Sequence, residues 1–110
     1  MKRVYVAGAL NADAVGYIKN VSQMIKYAEE VKKLGFAVFV PCNDFLMGVV
    51  NGNYDYYDYF NNSQPWLEVS DAVFVCPNWE NSKGTIKEIE RANELRIPVV
   101  YNVTDLIDLR

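Results

Sequence analysis

Ala72-Val73-Phe74-Val75-Cys76-Pro77-Asn78-Trp79-Glu80-Asn81-Ser82-Lys83-Gly84-Thr85-Ile86-Lys87-Glu88 holds the decisive reading of the fold in one stretch. Five apolar residues run without a polar interruption and stop at Pro77, which cannot continue a strand ladder. A Ser/Gly turn follows, and from Ser82 a helical pattern runs to Leu95. A continuously apolar strand feeding directly into an amphipathic helix is the β→α unit of a parallel sheet covered on both faces.

Working outward, the same alternation recurs. Val4-Tyr5-Val6-Ala7 reads as a buried strand ended by Gly8. Tyr17 to Leu34 reads as a helix, with Ile18, Val21, Ile25, Ala28, Val31 and Leu34 at three- and four-residue steps and Gly35 ending it. Phe36 to Val40 is a second strand closed by Pro41, and Cys42 to Asn53 reads as a long loop. Tyr54 to Val69 is helical, with Pro65 ending one helix or starting another. Pro98-Val99-Val100-Tyr101 is the fourth strand, and Thr104 caps a short final helix through Leu109.

These elements predict a single α/β domain over residues 1–110. It is a flavodoxin/Rossmann-like three-layer sandwich whose parallel sheet has the strand order 2-1-3-4, with room for a short fifth element. That order reverses between the strands ending at Gly8 and Cys76, and ligands of such sheets bind at the carboxyl ends there. Gly8 and the Ser82 turn are therefore expected to face each other across one crevice.

Composition narrows the chemistry. Eleven Lys/Arg are scattered among fourteen Asp/Glu for a net charge of −3, with no basic stripe, which argues against nucleic-acid or membrane-surface partners. The chain has no histidine, so a Ser-His-Asp triad and most transition-metal sites are excluded. Carboxylates, Tyr, Lys and Ser are left to do any catalysis, and no metal is expected. Neither the P-loop spacing nor Gly-x-Gly-x-x-Gly is present, so no cofactor is expected. Cys42 and Cys76 each close a strand and read as free thiols of a cytoplasmic protein. The N-terminal apolar segment is too short for a signal peptide or a membrane span.

At about 100° per residue, Thr85, Glu88, Ile89, Ala92 and Leu95 share one face of the helix from Ser82, and Lys87, Glu90, Arg91 and Glu94 the other. Glu88 is the one acid on the apolar side. It is either a rim carboxylate reaching water or a carboxylate held in the crevice for a purpose, since burying one unpaired is costly. Ser82 is an N-cap that either serves the helix alone or, with Gly84 allowing close approach, helps its free N–H groups bind phosphate. Asp71, at the amino end of its strand, reads as a turn or capping residue. The tyrosines from Tyr54 to Tyr59 read as packing or a subunit interface before a base-stacking platform.

Tyr5-Val6-Ala7-Gly8, Trp66-Leu67-Glu68-Val69-Ser70-Asp71-Ala72-Val73 and Ser82-Lys83-Gly84-Thr85-Ile86-Lys87-Glu88 together resemble the nucleoside 2-deoxyribosyltransferase-like superfamily. Within it the chain is similar to the 2'-deoxynucleoside 5'-phosphate N-hydrolases and to small phage and bacterial members. The resemblance implies that Glu88 is the nucleophile, Tyr5 the tyrosine beside it, and Ser82 a holder of the 5'-phosphate. It also implies that Gly8 and Gly84 belong to the loops of the site, where Asn81 and Ser63 join the substrate-binding set. Two departures stand out. The hydrolases carry an aspartate where this chain has Ser63, so the general acid is missing or relocated to Asp44, Asp55 or Asp58. Their Gly/Arg-rich loop after the first strand is replaced by Ala9-Leu10-Asn11-Ala12-Asp13.

The expectation is an enzyme that cleaves or exchanges the N-glycosidic bond of a (deoxy)nucleoside 5'-monophosphate, assembled at least as a homodimer. A nucleotide-binding sensor module that lost turnover is the alternative, favoured by Ser63. A third reading makes Tyr54 to Phe60 a protein-contact surface.

Overall fold

A computed structural model describes residues 1–10 and 12–110, with Phe45 described in its backbone only. Asn11, in the loop after the first strand, lies outside the described residues. The chain runs β1 (Arg3–Ala7), α1 (Ala14–Lys33), β2 (Ala37–Phe39), a 3-10 turn (Pro41–Asp44), α2 (Phe45–Asn51), α3 (Tyr56–Glu68), β3 (Ala72–Val75), α4 (Lys83–Glu94), β4 (Val99–Val100) and a 3-10 segment (Val103–Leu109).

The four strands form one parallel sheet in the order β2-β1-β3-β4. The α/β class and the 2-1-3-4 order read from the sequence are thus those of the structure. β1 lies at the centre, with Tyr5 beside Phe39 of β2 and Val73 of β3. Side chains alternate across such a sheet. Val4, Val6 and Phe74 pack with Met24, Ala28, Val31 and Leu106 on the α1 side. Tyr5, Ala7, Val73 and Val75 pack with Leu67 of α3 and Ala92 of α4 on the other. Two apolar cores on opposite faces make the three layers.

Several elements differ from expectation. Residues 42–53 are not a long loop: they hold a 3-10 turn and α2. Pro65 lies inside α3 instead of bounding a helix. Both Pro65 and Asn61, whose carbonyl the proline leaves without its usual donor, are exposed, so they lie on the side of α3 that faces water. α1 begins at Ala14, where the Asp13 carboxylate accepts from the Gly16 N–H at 2.7 Å. Its buried face is carried by Met24, Ala28 and Val31, while Ile18 and Ile25 are exposed. Gly35, at φ +103°, ends the turn after α1 as its position suggested. The final segment is 3-10 and not α-helical, and Leu95 is exposed at the end of α4.

Asp71 ties the amino ends of two strands together. Its carboxylate accepts from the Arg3 N–H at 2.7 Å, and its own N–H donates to the Arg3 carbonyl at 2.8 Å. Cys42 and Cys76 are free and buried, and burial pushes the Cys76 thiol up to about 12. Among the described residues no helix is long and apolar enough to cross a membrane.

Candidate active site

A cavity of about 990 Å³ opens at the carboxyl ends of β1 and β3. This is the switch point of the strand order, where β1 and β3 send their chains to opposite faces of the sheet. Glu88 and Tyr5 line it from below.

β1 delivers Tyr5 because alternate positions of the strand, Tyr5 and Ala7, face α3 and α4. The tyrosine is wholly buried and its ring stacks on Phe39 at 5.5 Å between centroids. Phe39 in turn stacks on Trp66 of α3 at 5.6 Å. Three rings in file leave the phenol one direction to point, and its hydroxyl donates to Oε2 of Glu88. Glu88 stands one turn into α4, on the face that buries Thr85 and Ala92.

The electrostatics are those of a carboxyl in a dry place. Desolvation raises Glu88 from 4.5 to about 7, and the Tyr5 hydrogen bond pulls in the opposite direction. Glu88 keeps some accessible surface toward the cavity, and the rest of the group is enclosed by protein. The Tyr5 phenol is raised well above its usual value by burial first and by the neighbouring Glu88 charge second. Tyr5 is thereby held protonated, as a donor.

Ser82 is the N-cap of α4: its Oγ accepts from the Thr85 N–H at 3.3 Å and lies 2.8 Å from the Thr85 hydroxyl. The cap is formed and Ser82 still borders the cavity, with Asn81, Lys83 and Gly84 around it. Gly84 faces Tyr56 of α3, whose ring atoms are 3.7 Å from where a Cβ would stand. Lys87 Nζ rests 5.7 Å from the centre of that same ring. Gly8 borders the cavity from the end of β1, and a Cβ there would press on Cys76 Cβ at 3.1 Å and Met24 Cε at 3.2 Å.

The structure sorts the three candidate acids. Asp55 and Asp58 form a reciprocal capping box at the start of α3, each carboxylate accepting from the other's N–H at 3.1 and 2.8 Å. Asp55 touches the cavity edge, and Asp58 is not among the residues that line it. Asp44 is buried, lines the cavity and accepts from Asn62 Nδ2 at 3.0 Å. Ser63 is also buried and lines the cavity, its hydroxyl donating to the Phe60 carbonyl at 3.5 Å.

The cavity also takes residues that sequence reading passed over. Tyr17, Asn20 and Met24 of α1 border it from the side of β1. Their three- and four-residue spacing marks one helix face, and this was the available signal. Asn20 Nδ2 reaches the Leu10 carbonyl at 3.4 Å and steadies the loop after β1. The tyrosines of 54–59 belong to the cavity wall: Tyr54 meets Tyr59 edge-on at 5.2 Å, and Tyr56 stacks on Phe60 at 5.8 Å.

Comparison with known proteins agrees with this architecture. A 2-deoxyribosyltransferase from the psychrotolerant bacterium Bacillus psychrosaccharolyticus, described as a biocatalyst for nucleoside synthesis, superposes with a TM-score of 0.66. The match covers 89% of this chain and 70% of that one at 24% identity, so the resemblance read from the sequence holds at the level of the fold. No curated protein matches the chain. Residues 2–101 match a family model described as a domain of unknown function, DUF4406. The chain belongs to that family, and it carries the fold of a 2-deoxyribosyltransferase.

Proposed function

We propose that the protein cleaves or transfers the N-glycosidic bond of a (deoxy)nucleoside 5'-monophosphate, with Glu88 as nucleophile. The observation that supports it most is the Tyr5–Glu88 hydrogen bond at the floor of the switch-point cavity. A buried carboxylate given one donor and one open side suits attack on a carbon that is developing positive charge.

One Glu88 oxygen bonds to C1' as the C1'–N bond breaks, and the bond pair leaves with the base. Water or a second base then attacks C1' from the vacated side, the bond from C1' to the Glu88 oxygen breaks, and the attacker's proton goes to the departed base anion, with net retention. Before bonding is complete, the carboxylate stabilises the oxocarbenium-like sugar electrostatically. The Tyr5 hydroxyl occupies one carboxylate oxygen and aims the other. The 5'-phosphate is taken by the Asn81–Gly84 turn, which borders the cavity at the start of α4, where Lys83 and Lys87 add positive charge. With serine at position 63 and Asp55 and Asp58 spent on the cap of α3, the leaving base has no dedicated proton donor in those positions. The enzyme is therefore expected to favour good leaving groups.

The test is release of free base from a panel of deoxynucleoside monophosphates and their nucleosides, with Glu88→Ala as the control. Expected is release that depends on Glu88 and is faster for monophosphates. Absence of release from every substrate sinks the enzymatic reading. The presence of Ser63 where the hydrolases hold an acid favours a second reading, a nucleotide-binding module without turnover. Calorimetry showing monophosphate binding with no base released would support that one.

A further inference from the structure

We propose that Asp44 reads the leaving base, selecting bases that present an exocyclic amino group over those that present an oxo group at the same place. The inference rests on the proposed function, because it takes the phosphate at the Ser82 turn and C1' at Glu88 as the two fixed points of the substrate.

The sheet supplies the ruler. Ser82 follows β3, Tyr5 and Gly8 belong to β1, and Asp44 follows β2, in the spatial order β3, β1, β2. Neighbouring strands lie about 4.8 Å apart, so the ends of β3 and β2 are separated by roughly 10 Å. A nucleoside monophosphate has about that reach from phosphorus to the far edge of its base. A substrate with its phosphate at the start of α4 and its sugar over Glu88 lays its base across the end of β1 toward β2. Gly8, Leu10, Met24 and Tyr17 line the cavity together with Asp44, which follows β2.

Asp44 is unusual for its position. It is the residue before α2, where an aspartate ordinarily caps the helix, yet its side chain makes no capping hydrogen bond. Instead it turns to Asn62, which donates to Oδ2 at 3.0 Å. Oδ1 has no partner among the described residues. No buried side-chain oxygen of those residues lacks a partner, so Oδ1 opens to the cavity. A carboxylate accepts and does not donate. Fixed by Asn62, it attracts an amino N–H and repels a carbonyl oxygen, and an unmatched buried acceptor discriminates more strongly than added bulk does.

The experiment compares kcat/KM for two substrate pairs that differ in that group and in the proton on the ring nitrogen beside it, dAMP against dIMP and dCMP against dUMP. Wild type is expected to favour the amino member by about tenfold or more. Asp44→Asn, whose amide both donates and accepts, is expected to bring each ratio within about threefold of unity. Equal wild-type rates for both members overturn the proposal whether or not the variant folds. So does a variant that slows both members equally while still cleaving a 7-methylguanine nucleoside, whose cationic base leaves without a proton: that outcome makes Asp44 a proton donor. If wild type releases no base at all, the proposed function fails. The amino preference is then read as a ratio of Kd values by calorimetry, and equal affinities or no binding overturn it.

Discussion

Tyr5, Val73 and Val75, the strand residues beneath Glu88, have essentially no accessible surface, whereas Leu46, Val50 and Tyr57 in α2 and α3 are 67%, 80% and 66% exposed. The floor of the cavity is part of the sheet and shares its core, so its side chains are placed by packing on both sides. The wall made by α3, with α2 packed behind it, rests on a capping box, a few ring contacts and the fit of Gly48 against Tyr59. The proposed chemistry sits on the half that shares the core of the sheet. The α3 side is held more lightly, as is usual for segments that must admit a substrate.

The largest effect separates activity from stability on the floor itself. Glu88→Gln is expected to abolish base release, a loss of about a thousandfold or more, and at the same time to stabilise the protein above neutral pH. The sign follows from linkage. The folded pKa of Glu88, about 7, exceeds its ordinary 4.5, so the folded state holds the proton more tightly and stability falls as pH rises from 4.5 to 7. The difference approaches about 3 kcal/mol above pH 7. Melting curves of wild type and variant between pH 4.5 and 8 should converge at the acid end and diverge at the basic end. Wild-type turnover should rise through the same interval as the nucleophile ionises.

Tyr5→Phe keeps the ring stack and removes the donor. A fall in kcat on the order of a hundredfold is expected from loss of aim. Because the lost hydrogen bond had lowered the Glu88 pKa, the midpoint of the pH–rate curve should move upward; a midpoint that stays in place would count against the pairing. Two glycine substitutions then sharpen the contrast between floor and wall. Gly8→Ala drives a methyl against Cys76 and Met24 in the core and should cost about 1–3 kcal/mol in denaturant unfolding. Gly48→Ala places its Cβ on the Tyr59 hydroxyl, the far end of a side chain that can swing, and 3.2 Å from Tyr54 Cβ. There the stability should change little, since alanine suits a helix by about 1 kcal/mol. The KM should rise a few-fold as Tyr59 and Tyr54 shift.

The sheet was legible because continuous apolar runs between helices have few other uses, and the strand order followed from handedness. The pairing of Glu88 with the cavity was legible from helix spacing, since it is the one acid on the stripe of Thr85 and Ala92. α2 was not legible: Phe45 to Asn51 is apolar on nearly every side and only seven residues long, so no 3.6-residue period can show. Pro65 misled for a different reason. Its usual penalty is small when the orphaned carbonyl is in water, and no sequence pattern says that it is. The separation of Asp44 from Asp55 and Asp58 depended on hydrogen bonds to Asn62 and across a capping box, which only coordinates supply.

The parity of β1 has one more consequence. Tyr5 and Ala7 look toward Glu88, and Val4 and Val6 toward α1, because odd and even positions of a strand take opposite sides. Inserting or deleting one residue between Lys2 and Tyr5 while keeping the strand's pairing would put a valine under the carboxylate and a phenol into the opposite core. Reactivity here is thus written in a reading frame of two, and evolution can edit the strand only in even steps.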